Sequence, residues 1–176
     1  MHKLIRTALA GIVVALGLLL ATASPAAAGF DVTDKIEPNF NVWSFAPIGA
    51  GSTAGYTDVN PRSGVQAIRL SGQAPGYAVT SRNFHIGDEP VCAAQIWVDP
   101  LNTGNPTPVS LEIVDPATYG FIARKTLTFA PNAGYSDINL AFVTNKHDVY
   151  VRVAVGTSVA GAKVSAIIDD LRVTCH

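Results

Sequence analysis

The chain has 176 residues, 48% hydrophobic and 14% charged, with 12 basic and 13 acidic side chains for a formal charge of −1. That is the size of one ordinary domain able to bury a real core. The near-neutral balance excludes the electrostatic footprint of a protein that binds nucleic acid or an anionic membrane surface.

The first element is a leader. Lys3 and Arg6 precede an apolar run from Ala8 to Ala23 and the small residues Ala26, Ala27 and Ala28. This is the layout of a secretory signal peptide (residues 1–28) with cleavage predicted after Ala28, and the run is short for an uncleaved bilayer anchor. No later segment is apolar enough to cross a membrane, so a secreted, extracellular mature domain, Gly29–His176, is expected. It keeps ten basic and 13 acidic side chains, a formal −3.

Gly and Pro punctuate this domain every several residues, and no helical stripe is sustained. Strands are predicted at Val65–Leu70, Tyr77–Phe84, Val91–Val98, Pro108–Val114, Phe121–Phe129, Ser136–Phe142, Asp148–Val155 and Val164–Thr174, each rich in β-branched or aromatic residues. Turn formers such as "SGQAPG", "DPLNTGNPTP" and "TNKHD" separate them. The pattern implies an all-β, two-sheet sandwich. The only two cysteines, Cys92 and Cys175, lie in the exported part and read as a disulfide.

Alternation sorts faces. Val149, Val151, Val153 and Val155 share an inner side, which turns Tyr150 and Arg152 outward; Val109, Leu111 and Ile113 turn Glu112 outward; Cys92, Ala94, Ile96 and Val98 turn Gln95 and Trp97 outward. In "AIIDDLRVTC" the same rule groups Ile167, Asp169, Leu171, Val173 and Cys175 on an inner face. Asp169 is then a buried carboxylate that must be protonated, hydrogen-bonded or bound to a cation, and Ca²⁺ suits an exported protein.

Trp43 in "NVWSF", followed by "RSGVQAIRL", "YAVTSRNF", "AAQIWV", "VSLEIV", "DVYVRVAV" and "IIDDLRV", resembles the jelly-roll carbohydrate-binding modules of the galactose-binding-like superfamily. The resemblance covers nearly all of the mature chain. It implies a structural Ca²⁺ held by Asp169, by an acidic residue near the N-terminus and by carbonyls around Ser63 and Gly64. The family's Gly-Phe-Glu appears here as Lys35-Ile36-Glu37, which makes Glu37 the candidate, with Asp31 and Asp34 as substitutes.

Enzyme motifs give little. "GTSVAG" lacks the second glycine of a nucleophile elbow, and "GAGSTAG" reads as a loop with no helix after it. His85, His147 and His176 have no metal-binding spacing. An outward pair such as Glu112 and Asp99 is the remaining candidate for a glycosidase dyad. A non-catalytic domain is therefore expected, whose glycan or polysaccharide surface uses Trp97, Gln95, Glu112, Tyr150 and Arg152. An edge site of Tyr56, Tyr77, Tyr119 and Tyr135 is the variant. The alternative partner is another protein, bound through the same sandwich in adhesion, inhibition or assembly.

Overall fold

The computed structural model describes residues 29–38 and 42–176; the predicted leader lies outside the described residues. Eleven strands follow in chain order: β1 (Phe30–Asp34), β2 (Ser44–Ile48), β3 (Thr53–Thr57), β4 (Ala67–Gln73), β5 (Tyr77–His85), β6 (Val91–Pro100), β7 (Thr107–Val114), β8 (Phe121–Phe129), β9 (Ser136–Val143), β10 (Asp148–Gly156) and β11 (Lys163–Cys175). The eight predicted strands are β4 to β11, with ends shifted by at most three residues. The strands β1, β2 and β3 are additions, five residues each, and "GAGSTAG" proves half turn and half strand because β3 begins at Thr53.

All pairs are antiparallel and form two sheets. The first has the order β3-β4-β11-β6-β9, with β1 also on β11; the second has the order β2-β5-β10-β7-β8. This is a jelly-roll β-sandwich: the two-sheet sandwich that the strand pattern implies, with the jelly roll that the resemblance implies. The valines of β10 meet Leu111 and Ile113 of β7, while Ala94, Ile96 and Val98 of β6 come from the facing sheet, and all of these are fully buried. At the end of the same core Trp43 donates its indole N–H to Asp34 Oδ2 at 2.9 Å, and Arg82 forms an ion pair with the same carboxylate.

The C-terminal strand β11 organises the first sheet. Along one of its edges β4 pairs with Lys163–Ile168 and β1 with Leu171–Cys175; the other edge pairs with β6 from Ala166 to Cys175. Where β4 gives way to β1 the register against β6 shifts between Asp169 and Arg172, and Asp170 adopts φ +47°. That is a β-bulge. At the far end Cys92 and Cys175 are opposite partners, bonded with Cα atoms 4.0 Å apart, so the expected disulfide is present.

Candidate functional site

The bulge corrects the face assigned to Asp169. Ile168 pairs with Val98 and both belong to the core, whereas Asp169 pairs with Trp97, one residue out of that phase. Opposite residues share a face. Asp169 therefore points to the outer side of the first sheet with Trp97, and only beyond the bulge do Leu171, Val173 and Cys175 return to the core. It is nonetheless fully buried, because the segment around Arg62 and Ser63 folds over it.

The carboxylate is satisfied by donors. Oδ2 accepts the Arg62 N–H at 2.7 Å and the Ser63 N–H at 3.2 Å, and Oδ1 accepts the Asp170 N–H at 2.8 Å. Across the same turn the Glu37 carboxylate accepts the Val65 N–H at 3.4 Å, and a Cβ at Gly64, where φ is +63°, would overlap it. Glu37 and Asp169 thus grip one turn, but through N–H groups. Among the described residues no group of three or more acidic, His or Cys side chains is gathered for a metal. The substitutes are engaged elsewhere: Asp31 with Arg172 at 2.7 Å and Asp34 with Trp43 and Arg82.

Burial pushes the Asp169 carboxyl up to about 6, against the pull of the Ser63, Asp170 and Arg62 N–H groups. Burial beside Asp169 and Asp99 also pushes the Tyr135 hydroxyl up; it donates to the Asn60 carbonyl at 2.7 Å. The hydrogen bond from Arg172 lowers Asp31, and the Ala117 N–H followed by Lys146 lowers Asp115. A raised acid stabilises the fold fully below its unfolded value of 3.8 and loses that contribution as pH rises through about 6. The lowered acids contribute above 3.8 and lose it as pH falls through their folded values. Maximal thermal stability is expected near about pH 4, with the decline completed by about pH 6. Melting temperatures across pH 4–7 should decline toward neutrality, and Asp169→Asn should flatten that decline; a profile still rising from pH 5 to 7 would contradict the assignment.

The five outward residues do not share one surface. Gln95 and Trp97 lie on β6 in the first sheet, and Glu112, Tyr150 and Arg152 on β7 and β10 in the second. Trp97 does face outward, yet the Arg62 guanidinium lies over its ring at 3.9 Å, and Arg62 is in turn paired with Asp170. Gln95 donates to Asp137 at 2.9 Å. Asp99, in the first sheet, accepts from Asn60 at 2.6 Å and is nowhere across a cleft from Glu112. The four tyrosines are likewise dispersed: Tyr56 packs edge-on against Phe45 at 5.0 Å, Tyr135 is bound to Asn60, Tyr119 stands 6.3 Å from Tyr150, and Tyr77 opens β5.

The second sheet carries the cleft, with a volume of about 830 Å³. Its floor follows from register. One row crosses the strands as Ser81, Arg152, Glu112 and Arg124, the next as Val79, Ala154, Ser110 and Thr126. Small side chains at Ala154 and Gly156 form the depression; a Cβ at Gly156 would stand 2.7 Å from that of Tyr77, so only glycine leaves the tyrosine its place on the rim. Residues 157–161 and the Ala74–Gly76 turn complete the walls. Glu112 is outward as expected but only 2% exposed, because two arginines cover it: Arg152 Nε reaches Oε2 at 2.5 Å and Arg124 Nε reaches Oε1 at 3.0 Å.

Above them lies Phe121, 53% exposed, with the guanidinium carbons of Arg152 and Arg124 at 5.1 and 5.2 Å from its ring centroid. In the row on one side of the arginines Ser110 and Thr126 join hydroxyls at 2.7 Å. In the row on the other side Tyr150, Val114 and Phe121 are opposite partners. The lining of the groove reaches from Phe121, level with Tyr150 across the strands, to Gly156, six positions along β10 or about 20 Å at strand rise. Phe121 and Arg124 are the residues that alternation misses. They share a face at an odd spacing because the register slips at Ile113 and Val114, leaving Ile122 and Ala123 both against the core. The one signal in the sequence is the aromatic that opens "FIARKTLTF".

No family model matches the chain, and no curated protein matches it in sequence. Solved structures do match in shape. The xylan-binding CBM22-1 domain of Paenibacillus barcinonensis Xyn10C aligns at a TM-score of 0.62 with 11% identity, over 84% of this chain and 96% of that one. TmCBM61, solved with β-1,4-galactotriose, aligns at 0.60 with 10% identity, over 81% and 99%. The C-terminal family 22 carbohydrate-binding module of Clostridium thermocellum Xyn10B, in whose cleft conserved amino acids serve ligand binding, aligns at 0.58 with 15% identity, over 86% and 96%. With the two sheets and their order already fixed by register, these alignments establish that the chain has the jelly-roll β-sandwich fold of carbohydrate-binding modules.

Proposed function

We propose that this is a secreted, non-catalytic carbohydrate-binding domain whose glycan lies along the cleft of the β2-β5-β10-β7-β8 sheet. The observation that carries the reading is Phe121, an exposed ring flanked by two arginines over a buried glutamate. Sugars offer flat apolar faces and hydroxyl edges, so they need an aromatic platform with polar groups at its margin. Here the margin is Arg124 and Arg152, with Ser110 and Thr126 in the row beyond them, and a groove of about 20 Å suits a chain of several sugar units. The three similar modules, one of them xylan-binding and one solved with a galactotriose, support the same chemistry.

Absence of catalysis is part of the proposal. Among the described residues lining the cleft Glu112 is the one carboxylate, and both of its oxygens are held by arginines; glycoside hydrolysis works with two. The leader layout and the disulfide support secretion. To Asp169 and Glu37 we assign the role of clamping the Ser63–Gly64 turn through hydrogen bonds, in place of a calcium ion.

Pull-down on insoluble xylan, galactan and mixed-linkage glucan, followed by a glycan array, tests the reading. Wild type should bind at least one polysaccharide. Phe121→Ala should weaken that binding by about tenfold or more, as loss of a central aromatic anchor does, and Trp97→Ala should leave it within about twofold. Capture of no glycan at all would return the sandwich to the protein-binding alternative, and full affinity in Phe121→Ala would move the site off this cleft.

A further inference from the structure

We infer that the cleft selects acidic polysaccharides, chains bearing a hexuronate carboxylate, over neutral ones. This rests on the carbohydrate-binding reading above and adds the ligand class. The charged side chains lining the cleft are Glu112, Arg124 and Arg152. Glu112 is neutralised inside its own network, one oxygen to each arginine. The local sum is +1, on a chain whose residues after the leader carry a formal −3.

The attachment of the arginines matters as much as their number. Each meets Glu112 through Nε, and neither has a hydrogen bond or ion pair from its terminal Nη atoms to another described residue. Arg124 is 52% and Arg152 30% exposed at the side chain, so these donors are open to the cleft, while the Nε hydrogen bond to Glu112 fixes the plane of the Arg152 guanidinium and the ion pair holds Arg124 beside it. A fixed guanidinium with free Nη groups matches a carboxylate, which accepts two parallel N–H bonds in that plane. Hydroxyls of a neutral sugar accept the same donors but bring no counter-charge. The exposed Phe121 ring, about equally far from both guanidinium carbons, would carry the sugar face while its carboxylate meets an arginine at the margin.

The test compares each acidic polymer with itself. Polygalacturonate, alginate and glucuronoxylan, and the carboxyl-reduced derivative of each, are titrated against the intact disulfide-bonded protein by affinity electrophoresis at about 20 and about 200 mM salt. For the polymer bound best, the native form should bind about tenfold or more tightly than the reduced form at low salt, a gap that narrows at high salt. Arg124→Gln, at an exposed position where folding is verified by its melting temperature, should shrink the gap to about threefold or less. Equal binding of native and reduced polymers overturns the preference while leaving the carbohydrate-binding domain standing. A gap undiminished in Arg124→Gln overturns the assignment to this pair of arginines. Binding to none of these polymers overturns the preference, and if the neutral polysaccharides are also refused the carbohydrate reading falls with it.

Discussion

Reduction of the Cys92–Cys175 bond is expected to cost about 4 kcal/mol of folding stability and to lower the melting temperature by roughly 10–15 °C. The two residues are 83 apart in sequence, so in the unfolded chain the bond closes a long loop and removes much of its freedom. In the folded protein it joins opposite residues of adjacent strands, where the register already brings the backbones together. The bond therefore acts mainly on the unfolded state. What it secures is β11, the strand that pairs with β1, β4 and β6 at once. Urea unfolding with and without a phosphine reductant measures the difference, with mass spectrometry to confirm that two thiols have appeared. A loss below about 1 kcal/mol would show that the reduced chain retains structure enough to make the staple redundant.

Much of this architecture is legible from alternation. The strand "DVYVRVAV" has one reading, four valines in and Tyr150 and Arg152 out, and the fully buried valines agree. A strand with one face in the core cannot slip by one residue without exposing its whole apolar set. Short strands are different. "FDVTD", "SFAPI" and "TAGYT" hold too few apolar residues to show a period, and their pairing is dictated by the longer strands they dock on. Period also fails at bulges, which is where the functional residues collect. One bulge puts Asp169 on the outer face instead of the core, and another puts Phe121 and Arg124 side by side. A bulge inserts one residue and reverses every later inside-outside assignment, leaving no mark in composition. Sheet membership is the other hidden variable. Outwardness can be read for Trp97 and for Glu112 separately, but only the strand order shows that they face away from each other.

Asp169→Ala is expected to destabilise the protein by about 3 kcal/mol, because three backbone N–H groups lose their acceptor at a fully buried position. Asp169→Asn should cost less, about 1 kcal/mol, since its amide oxygen can still take the Arg62 and Ser63 donors while its amide nitrogen cannot serve Asp170. The effect should spread along the segment that the carboxylate holds. Arg62 lies over Trp97 and pairs with Asp170, and Ser63 Oγ donates to Asp170 at 2.5 Å, so releasing the turn uncovers the indole. Acrylamide should then quench the fluorescence of Asp169→Ala more strongly than that of wild type. The same samples separate hydrogen bonding from metal binding. A cation bound only by the folded state raises its stability in proportion to RT ln(1 + [L]/Kd). The clamp of N–H donors requires instead that EDTA and added Ca²⁺ leave the wild-type melting curve unmoved and that elemental analysis finds no stoichiometric metal. A chelator-sensitive wild type beside a chelator-blind Asp169→Ala would mean that the turn reverses its peptide groups to offer carbonyls, and that the carboxylate of Asp169 works as a ligand after all.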